Sequence, residues 1–295
     1  MPIPGFPWRK PSVKRVQVTN STEISRELAD VLATAAPFAC DVAREAGAIL
    51  RRYQEEGFAI QHKGTVDLVT DADKASEELI SRRIRAAYPD HRLIGEEGAR
   101  GTAAAAGAPF GWVVDPLDGT TNFAHRYPHF AVSICLEYQG DPVLGVVFDP
   151  MKDELFVGIK GGGATVNGVP LRVSTTSELQ QSLLATGFSY NVNERRDAYA
   201  WWTAFNNVTQ GVRRDGSAAL NMCYVAAGRL DGFYERPINA WDVGAGVVIV
   251  REAGGTVVGL EAGGYQLYAN EVLASNGVLE APIRALINET KKQAA

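Results

Sequence analysis

The feature that most constrains this chain is the segment at residues 115–122, which reads Asp-Pro-Leu-Asp-Gly-Thr-Thr-Asn. The run before it is apolar, which predicts a short buried strand ending at Asp115. Pro116 cannot donate a ladder hydrogen bond, so we expect the strand to stop there and Asp118 to cap a helix. The free N–H groups and positive end of that helix would face Asp115. Two carboxylates beside an anion-binding helix start predict a divalent cation, and Mg²⁺ suits such ligands.

Two aspartates in a turn are more often a capping device than a metal site, so this segment alone leaves both interpretations open. Three further acidic segments favour the metal site. Glu96 and Glu97 lie side by side between glycines, where they repel each other unless a cation joins them. Residues 66–73 carry three aspartates into a predicted helix start, and Asp242 precedes an apolar run. Helix-dipole and capping roles would also explain these last two segments.

The five motifs that carry a family resemblance are residues 66–73, 95–97, 112–123, 216–222 and 241–242. In this order they resemble the inositol monophosphatase family of magnesium-dependent, lithium-sensitive phosphatases, over nearly the whole chain. The resemblance implies a five-layered αβαβα sandwich of the sugar phosphatase type. It also implies an N-terminal extension at 1–35 and a family domain at 36–292, whose two halves meet near residues 180–190.

The resemblance also implies the metal ligands. Glu96, Asp115 and the backbone carbonyl of Leu117 would hold one Mg²⁺. Asp115, Asp118 and Asp242 would hold a second, with Asp115 bridging, and two or three ions are expected in all. Inhibition by Li⁺ is expected as well.

The same resemblance assigns catalytic and substrate-binding positions. Asp73 and the Thr120 hydroxyl would orient the attacking water, and Glu97 would lie in the surrounding shell. The residues expected to contact the phosphate or the alcohol are Gly119, Thr120, Gly216, Ser217, Ala218, Glu235, Arg213, Arg214 and Lys63. Gly216 and Ser217 also read as a helix start, which Ser217 would cap.

The substrate is left open among phosphate monoesters. Myo-inositol monophosphate is favoured, because Asn122 and Phe123 after the Thr-Thr pair resemble the inositol branch and Glu235 matches the family's acidic contact to inositol hydroxyls. Relatives acting on fructose 1,6-bisphosphate, 3′(2′),5′-bisphosphate nucleotides or histidinol phosphate provide the alternatives. A non-catalytic regulatory or binding protein that kept the fold is the alternative from a different class.

Composition agrees with an enzyme acting on small molecules. The net charge is −5 over 295 residues and there is no basic run, which argues against nucleic acid as a partner. No apolar stretch approaches twenty residues, so no membrane span is expected, and the N-terminus lacks the order of a signal peptide. Three cysteines in apolar segments predict reduced thiols in a cytoplasmic protein. The resemblance adds a homodimer.

Periodicity predicts an α+β half followed by an α/β half. Apolar spacing predicts a first helix over residues 38–53 with Pro37 at its start, and a second ended by Pro89. Three antiparallel strands are expected at 130–138, 143–148 and 154–159. Helices are then expected near 195–208, 217–230, 242–253 and 278–291, with strands at 231–235, 256–260 and 272–275.

One other motif points to different chemistry. Cys223 and Arg229 have the Cys-x5-Arg spacing of tyrosine phosphatases. The residues between them are helical in pattern and mostly apolar, whereas thiolate chemistry needs a loop of N–H donors around a low-pKa sulfur. We therefore expect Cys223 to be a core residue. The adjacent Trp201 and Trp202 are expected to pack in the core, with a subunit contact as the alternative.

Overall fold

The computed structural model describes residues 26–62, 68–101, 107–260 and 264–294. Within these ranges the helices are α1 (Arg26–Glu56), α2 (Asp71–Ala87), α3 (Thr120–Ala124), α4 (Arg196–Asn206), α5 (Ala218–Ala226), α6 (Ala240–Glu252) and α7 (Glu280–Ala294). The strands are β1 (Ile60–His62), β2 (Leu68–Thr70), β3 (Arg92–Gly95), β4 (Phe110–Asp118), β5 (Ala131–Tyr138), β6 (Asp141–Asp149), β7 (Glu154–Ile159), β8 (Gly163–Val166), β9 (Val169–Pro170), β10 (Leu183–Thr186), β11 (Gly211–Arg213), β12 (Gly232–Glu235), β13 (Thr256–Val258) and β14 (Val272–Ser275).

Two large sheets organise these strands. The first runs in the spatial order β3-β4-β5-β6-β7-β8-β9, parallel between β3 and β4 and antiparallel elsewhere. The second runs in the order β11-β10-β12-β14-β13, and β10 is parallel to both of its neighbours. β1 and β2 form a separate antiparallel pair. The predicted change from antiparallel strands to alternating strands and helices is confirmed.

The helices and the two large sheets stack in five layers. α1 and α2 cover one face of the first sheet, and α5 and α6 lie between its other face and the second sheet. α4 and α7 cover the outer face of the second sheet. The predicted αβαβα sandwich is therefore confirmed.

Three apolar cores fill the spaces between these layers. Side chains of β4 alternate between two of them, since Trp112 and Val114 pack toward α1 and α2 whereas Val113 packs toward α5 and α6. A strand buried on both faces reads as a continuous apolar run, which explains why this segment shows no polar alternation.

Helix α6 lies very close to the first sheet. A Cβ atom added at Gly145 would lie 2.1 Å from the carbonyl oxygen of Ala245, and one at Gly158 would lie 2.8 Å from the Cα of Ile249. Only glycine leaves space for this approach. α6 also contacts β4, the strand that carries Asp115 and Asp118.

The first helix differs from its predicted bounds. α1 begins at Arg26, and Pro37 lies inside it. Leu28 and Leu32 extend the buried face of α1 beyond the predicted helix at residues 38–53. The predicted boundary between an extension and a domain at residue 35 stays a prediction.

The core expectations are confirmed for Cys135, Cys223 and Trp201, whereas the expectation that Trp202 packs in the core is wrong. Cys135 and Cys223 are buried and all three cysteines are free thiols. Trp201 is buried, whereas Trp202 is 39% exposed. In the described residues no helix is both long and apolar enough to cross a membrane.

Candidate active site

The site begins at the end of β4, which does not stop at Pro116. Asp115 pairs with Ser133 and Asp118 pairs with Ala131, with a register shift between them. The prediction that Pro116 ends the ladder is therefore wrong. Residues three apart on a regular strand point to opposite faces, and the bulge is what lets the two carboxylates meet.

Asp118 is not the cap of the following helix, contrary to the prediction. The N-cap of α3 is Gly119, in the left-handed conformation with φ 100°. A Cβ there would lie 3.1 Å from the carbonyl oxygen of His129 and 3.2 Å from that of Gly216. This crowding and the positive φ explain the glycine.

The Asp118 carboxylate instead accepts hydrogen bonds from the start of α5. The donors are the Ser217 hydroxyl at 2.5 Å and the N–H groups of Ala219 at 2.8 Å and Ala218 at 3.3 Å. Ser217 also caps α5, as predicted, by accepting from the N–H of Leu220. Part of the expected substrate-binding segment therefore orients Asp118.

Asp242 supplies the third carboxylate. It lies in the first turn of α6, three residues after the N-cap Asn239, and its Oδ2 accepts the Asn239 N–H at 2.8 Å. The prediction that Asp242 is itself the cap is wrong. Ligand oxygens of Asp115, Asp118 and Asp242 all lie within 4.8 Å of one another.

All three carboxyl groups have raised pKa values. Burial, followed by the charges of Glu96, Asp118 and Asp242, raises the pKa of Asp115 well above its ordinary value. Burial also raises the pKa of Asp242 strongly and that of Asp118 to about 6, although hydrogen bonds from Ser217 and Ala219 oppose the shift at Asp118. An all-oxygen, acidic and buried donor set of this kind fits a hard divalent cation, which would remove the repulsion.

The turn after β3 brings Glu96 to the same place. The Glu96 N–H donates to the carbonyl of Val114 at 3.2 Å, next to Asp115. The side chains of Glu96 and Asp115 are within hydrogen-bonding reach of each other. Glu97 follows in the same turn and lies close enough to Asp73 to raise its pKa.

Leu117 lies between the two aspartates of β4. Its N–H donates to Asp115 Oδ1 at 2.9 Å, and its carbonyl oxygen lies 3.1 Å from the Thr120 hydroxyl. That hydroxyl lies equally close, at 3.1 Å, to Asp73 Oδ1.

Asp73 comes from the first turn of α2. Its Oδ2 accepts from the N–H of Thr70 at 2.7 Å and from the Thr70 hydroxyl at 2.5 Å. The residue is fully buried, and this burial raises its pKa to about 6 against the effect of the hydrogen bonds. The predicted residues Asp73, Thr120 and Asp115 are thus brought to one place by α2, α3 and β4.

A cavity of about 360 Å³ extends from Asp118 and Asp242 to Glu235. Burial raises the pKa of Glu235 to about 8, and Arg214 nearby opposes the shift. A Cβ at Gly187 would lie 2.0 Å from Glu235 Oε2, so any larger residue there would displace this carboxyl.

The other predicted contacts divide into three groups. Gly216, Ser217, Ala218 and Arg214 line the cavity. Arg213 is exposed on β11 and is not among the lining residues of the described chain. Lys63 lies outside the described residues.

The sequence predictions did not include Tyr190, and they gave Asn122 no structural role in the site. Tyr190 lines the cavity, is 47% exposed, and has its hydroxyl within hydrogen-bonding reach of Thr121. Asn122 donates to the carbonyls of His129 and Asp215, both at 2.8 Å, and so ties α3 to the segment before α5. Tyr190 lies in an aperiodic segment with no signal to reveal it.

The αβαβα sandwich and the carboxylate cluster beside the cavity are the features that the resemblance to metal-dependent phosphatases implied. Residues 31–292 match the model of the Inositol monophosphatase family, so the chain belongs to that family. It is accordingly a phosphatase, and the family acts on small phosphorylated substrates.

Individual relatives agree with this assignment. The chain is 46% identical to an inositol-1-monophosphatase from Synechocystis, over 78% of this chain and 80% of the relative. It is 43% identical to Nus factor SuhB from Haemophilus influenzae, over 83% and 90%. A solved inositol monophosphatase from Anabaena superposes with a TM-score of 0.79 at 42% identity, covering 88% of this chain and 96% of that one.

Proposed function

We propose that the protein hydrolyses a phosphate monoester of a polyhydroxylated alcohol, with myo-inositol monophosphate as the favoured substrate, in a Mg²⁺-dependent reaction. The observation that carries the proposal is the cluster of Asp115, Asp118 and Asp242 at one end of a cavity that has Glu235 in its wall. One end suits a phosphate held through cations, and the other suits hydroxyl groups. The substrate was one of several left open by the sequence.

The residues proposed to hold the ions are those named from the sequence. Glu96, Asp115 and the Leu117 carbonyl would hold one Mg²⁺, and Asp115, Asp118 and Asp242 a second. Two-metal sites supply Lewis-acid stabilisation to the attacking water and to the oxygens of the transferring phosphoryl group. A third ion and inhibition by Li⁺ are part of the same proposal.

Thr120 and Asp73 are proposed to orient the attacking water. With Asp73 Oδ1 as its acceptor at 3.1 Å, the Thr120 hydroxyl keeps its lone pairs for a hydrogen bond from that water. The Asp73 pKa of about 6 leaves the carboxylate mostly ionised at neutral pH and able to take up a proton through Thr120. Gly119 and Thr120 are proposed to direct backbone N–H groups at the phosphate.

Glu235 and Arg214 are proposed to contact the alcohol. An ionised carboxyl accepts from hydroxyl donors, and a protonated one donates. The pKa of about 8 allows Glu235 both states near neutrality. An ester without hydroxyl groups would leave Glu235 unpaired in the cavity wall, so the enzyme would discriminate against such esters.

A substrate panel tests this proposal. The values of kcat/KM for inositol 1-phosphate, fructose 1,6-bisphosphate, histidinol phosphate and adenosine 3′,5′-bisphosphate should be compared at equal Mg²⁺. We expect inositol 1-phosphate to lead. A preference for the nucleotide by more than about tenfold, or about 1.4 kcal/mol in transition-state free energy, would contradict the proposed substrate.

The alternative from another class is a regulatory role through protein contacts. It is motivated by the 43% identity to a relative named as a Nus factor. A folded wild-type protein that hydrolyses none of the four esters with Mg²⁺ would favour it. A homodimer, a cytoplasmic location and the absence of a nucleic-acid partner stay proposals, and light scattering tests the first.

A further inference from the structure

Helix α2 buries three polar residues on the face that it turns toward the site. Asp73 and Ser76 are fully buried, and Glu77 is 8% exposed. Positions i, i+3 and i+4 share one face of a helix, and the same face continues into the core at Ile80 and Ile84. Burying a carboxylate is costly unless it is hydrogen-bonded, so the buried Glu77 needs hydrogen-bond partners of its own.

The Glu77 carboxylate lies inside the turn that carries Glu96. Its Oε2 accepts the N–H of Glu97 at 2.9 Å, and its Oε1 accepts the N–H of Ala99 at 2.8 Å. Both oxygens are therefore bound to backbone donors one and three residues after Glu96. A Cβ at Gly95 would lie 2.3 Å from Glu77 Oε2, so the backbone before Glu96 also closes around this carboxylate.

The turn has its own closing contacts as well. Gly95 donates its N–H to the carbonyl of Ala99 at 3.0 Å, and Gly98 has a positive φ of 112°. Arg100 donates to the carbonyls of Gly95 and Ala99. The N–H groups of Glu97 and Ala99 take no part in these bonds, and both donate to the Glu77 carboxylate.

We propose that Glu77 is a positioning residue that holds the turn of residues 95–99 in the conformation that presents Glu96 to the carboxylate cluster. Both oxygens of the Glu77 carboxylate are engaged with backbone N–H groups of the turn. It therefore acts through the turn and not as a ligand. This inference rests on the proposed metal-dependent function.

The conservative variant Glu77→Gln tests the proposal, because an amide can accept only one of the two N–H groups and turns its NH₂ toward the other. Residues that orient metal ligands typically change metal affinity 10- to 100-fold. We expect the Kd for Mn²⁺, measured from the free-ion EPR signal without substrate, to rise about tenfold. Half-saturating Mg²⁺ in the phosphatase assay should rise by a similar factor.

Rescue separates positioning from a general loss of structure. At saturating Mg²⁺ the variant should recover kcat and substrate KM to within about twofold of wild type. Ser81→Ala is the matched control, because Ser81 is buried one turn further along α2 and donates to the Glu77 backbone carbonyl, outside the site. It should leave Mn²⁺ affinity unchanged.

Two results would overturn the proposal: Mn²⁺ affinity within twofold of wild type in a folded Glu77→Gln protein, or an equal loss of affinity in Ser81→Ala. If Glu77→Gln does not fold, Gly95→Ala perturbs the same contact from the turn and carries the same expectation. A wild-type protein that binds no Mn²⁺ would refute the proposed function together with this inference, whereas unchanged affinity in the variant refutes only the inference.

Discussion

Replacing Asp115 by asparagine should stabilise the metal-free protein while abolishing its activity. Two unit charges 4.8 Å apart repel by roughly 3 kcal/mol at an effective dielectric constant of about 20. Asp115 faces two such neighbours, Asp118 and Asp242. Asparagine keeps the acceptor for the Leu117 N–H at 2.9 Å and removes the charge.

Protonation limits the size of the gain. Keeping one carboxyl protonated at pH 7, against an ordinary pKa of 3.8, costs at most about 4 kcal/mol. We therefore expect Asp115→Asn to raise the free energy of unfolding in EDTA by about 2 kcal/mol. For a chain of this size that corresponds to a Tm increase of about 4 °C.

The pH dependence has a definite sign. The folded-state pKa of Asp115 is raised, so its repulsion is absent below the unfolded pKa and grows as pH rises through the folded pKa. The advantage of the variant in EDTA should be close to zero at pH 4 and larger at pH 8. Thermal unfolding at several pH values measures it.

Adding Mg²⁺ should reverse the order of stability. A ligand at about 100 times its Kd stabilises the wild type by about 2.7 kcal/mol, and the variant should lose most of that effect. Asp41→Asn, on the exposed side of α1, makes the same change in net charge and should alter neither stability nor turnover. A variant less stable than wild type in EDTA, or one retaining half the rate at saturating Mg²⁺, would refute the assignment of Asp115.

Three further predictions test other parts of the structure. Glu235→Gln should lower kcat/KM for inositol 1-phosphate by a factor equivalent to about 1.5–3 kcal/mol of transition-state free energy. It should scarcely affect kcat/KM for p-nitrophenyl phosphate, and an equal loss on both esters would make Glu235 a scaffold residue. Gly145→Ala should lower the unfolding free energy by about 1–3 kcal/mol or more, because its Cβ meets the Ala245 carbonyl at 2.1 Å. Gly107→Ala, where a Cβ meets nothing within 4 Å, is its control in the same melts. Cys223→Ala should keep kcat within about twofold, since burial raises the pKa of this thiol well above its usual value, and a lost activity would revive a thiolate mechanism.

Local pattern determined much of this protein. The apolar run before Asp115 predicted β4. The alternation after residue 195 predicted α4 to α7 with β12, β13 and β14, but not β11. Ser217 was recognised as a cap because capping depends on neighbours within one turn. These features follow from residues close together in the chain, and so the sequence alone was sufficient for them.

The tertiary structure alone decided how the carboxylates meet. The bulge between Asp115 and Asp118 depends on pairing with β5, and local reading placed a strand end there instead. The hydrogen bonds that Asp118 accepts come from residues 217–219, about a hundred positions away. Asp242 joins the cluster because α6 packs closely on the first sheet through Gly145.

Glu77 shows the same division most clearly. The sequence by itself predicted a second helix that Pro89 ends, and an acidic turn at Glu96 and Glu97. Helical spacing places Glu77, unlike the exposed Glu78, on the face of Ile80 and Ile84, but it names no partner for the Glu77 carboxylate. Only packing of α2 against the turn after β3 buries one of these carboxylates beneath two backbone N–H groups, since burial depends on which distant segments come together.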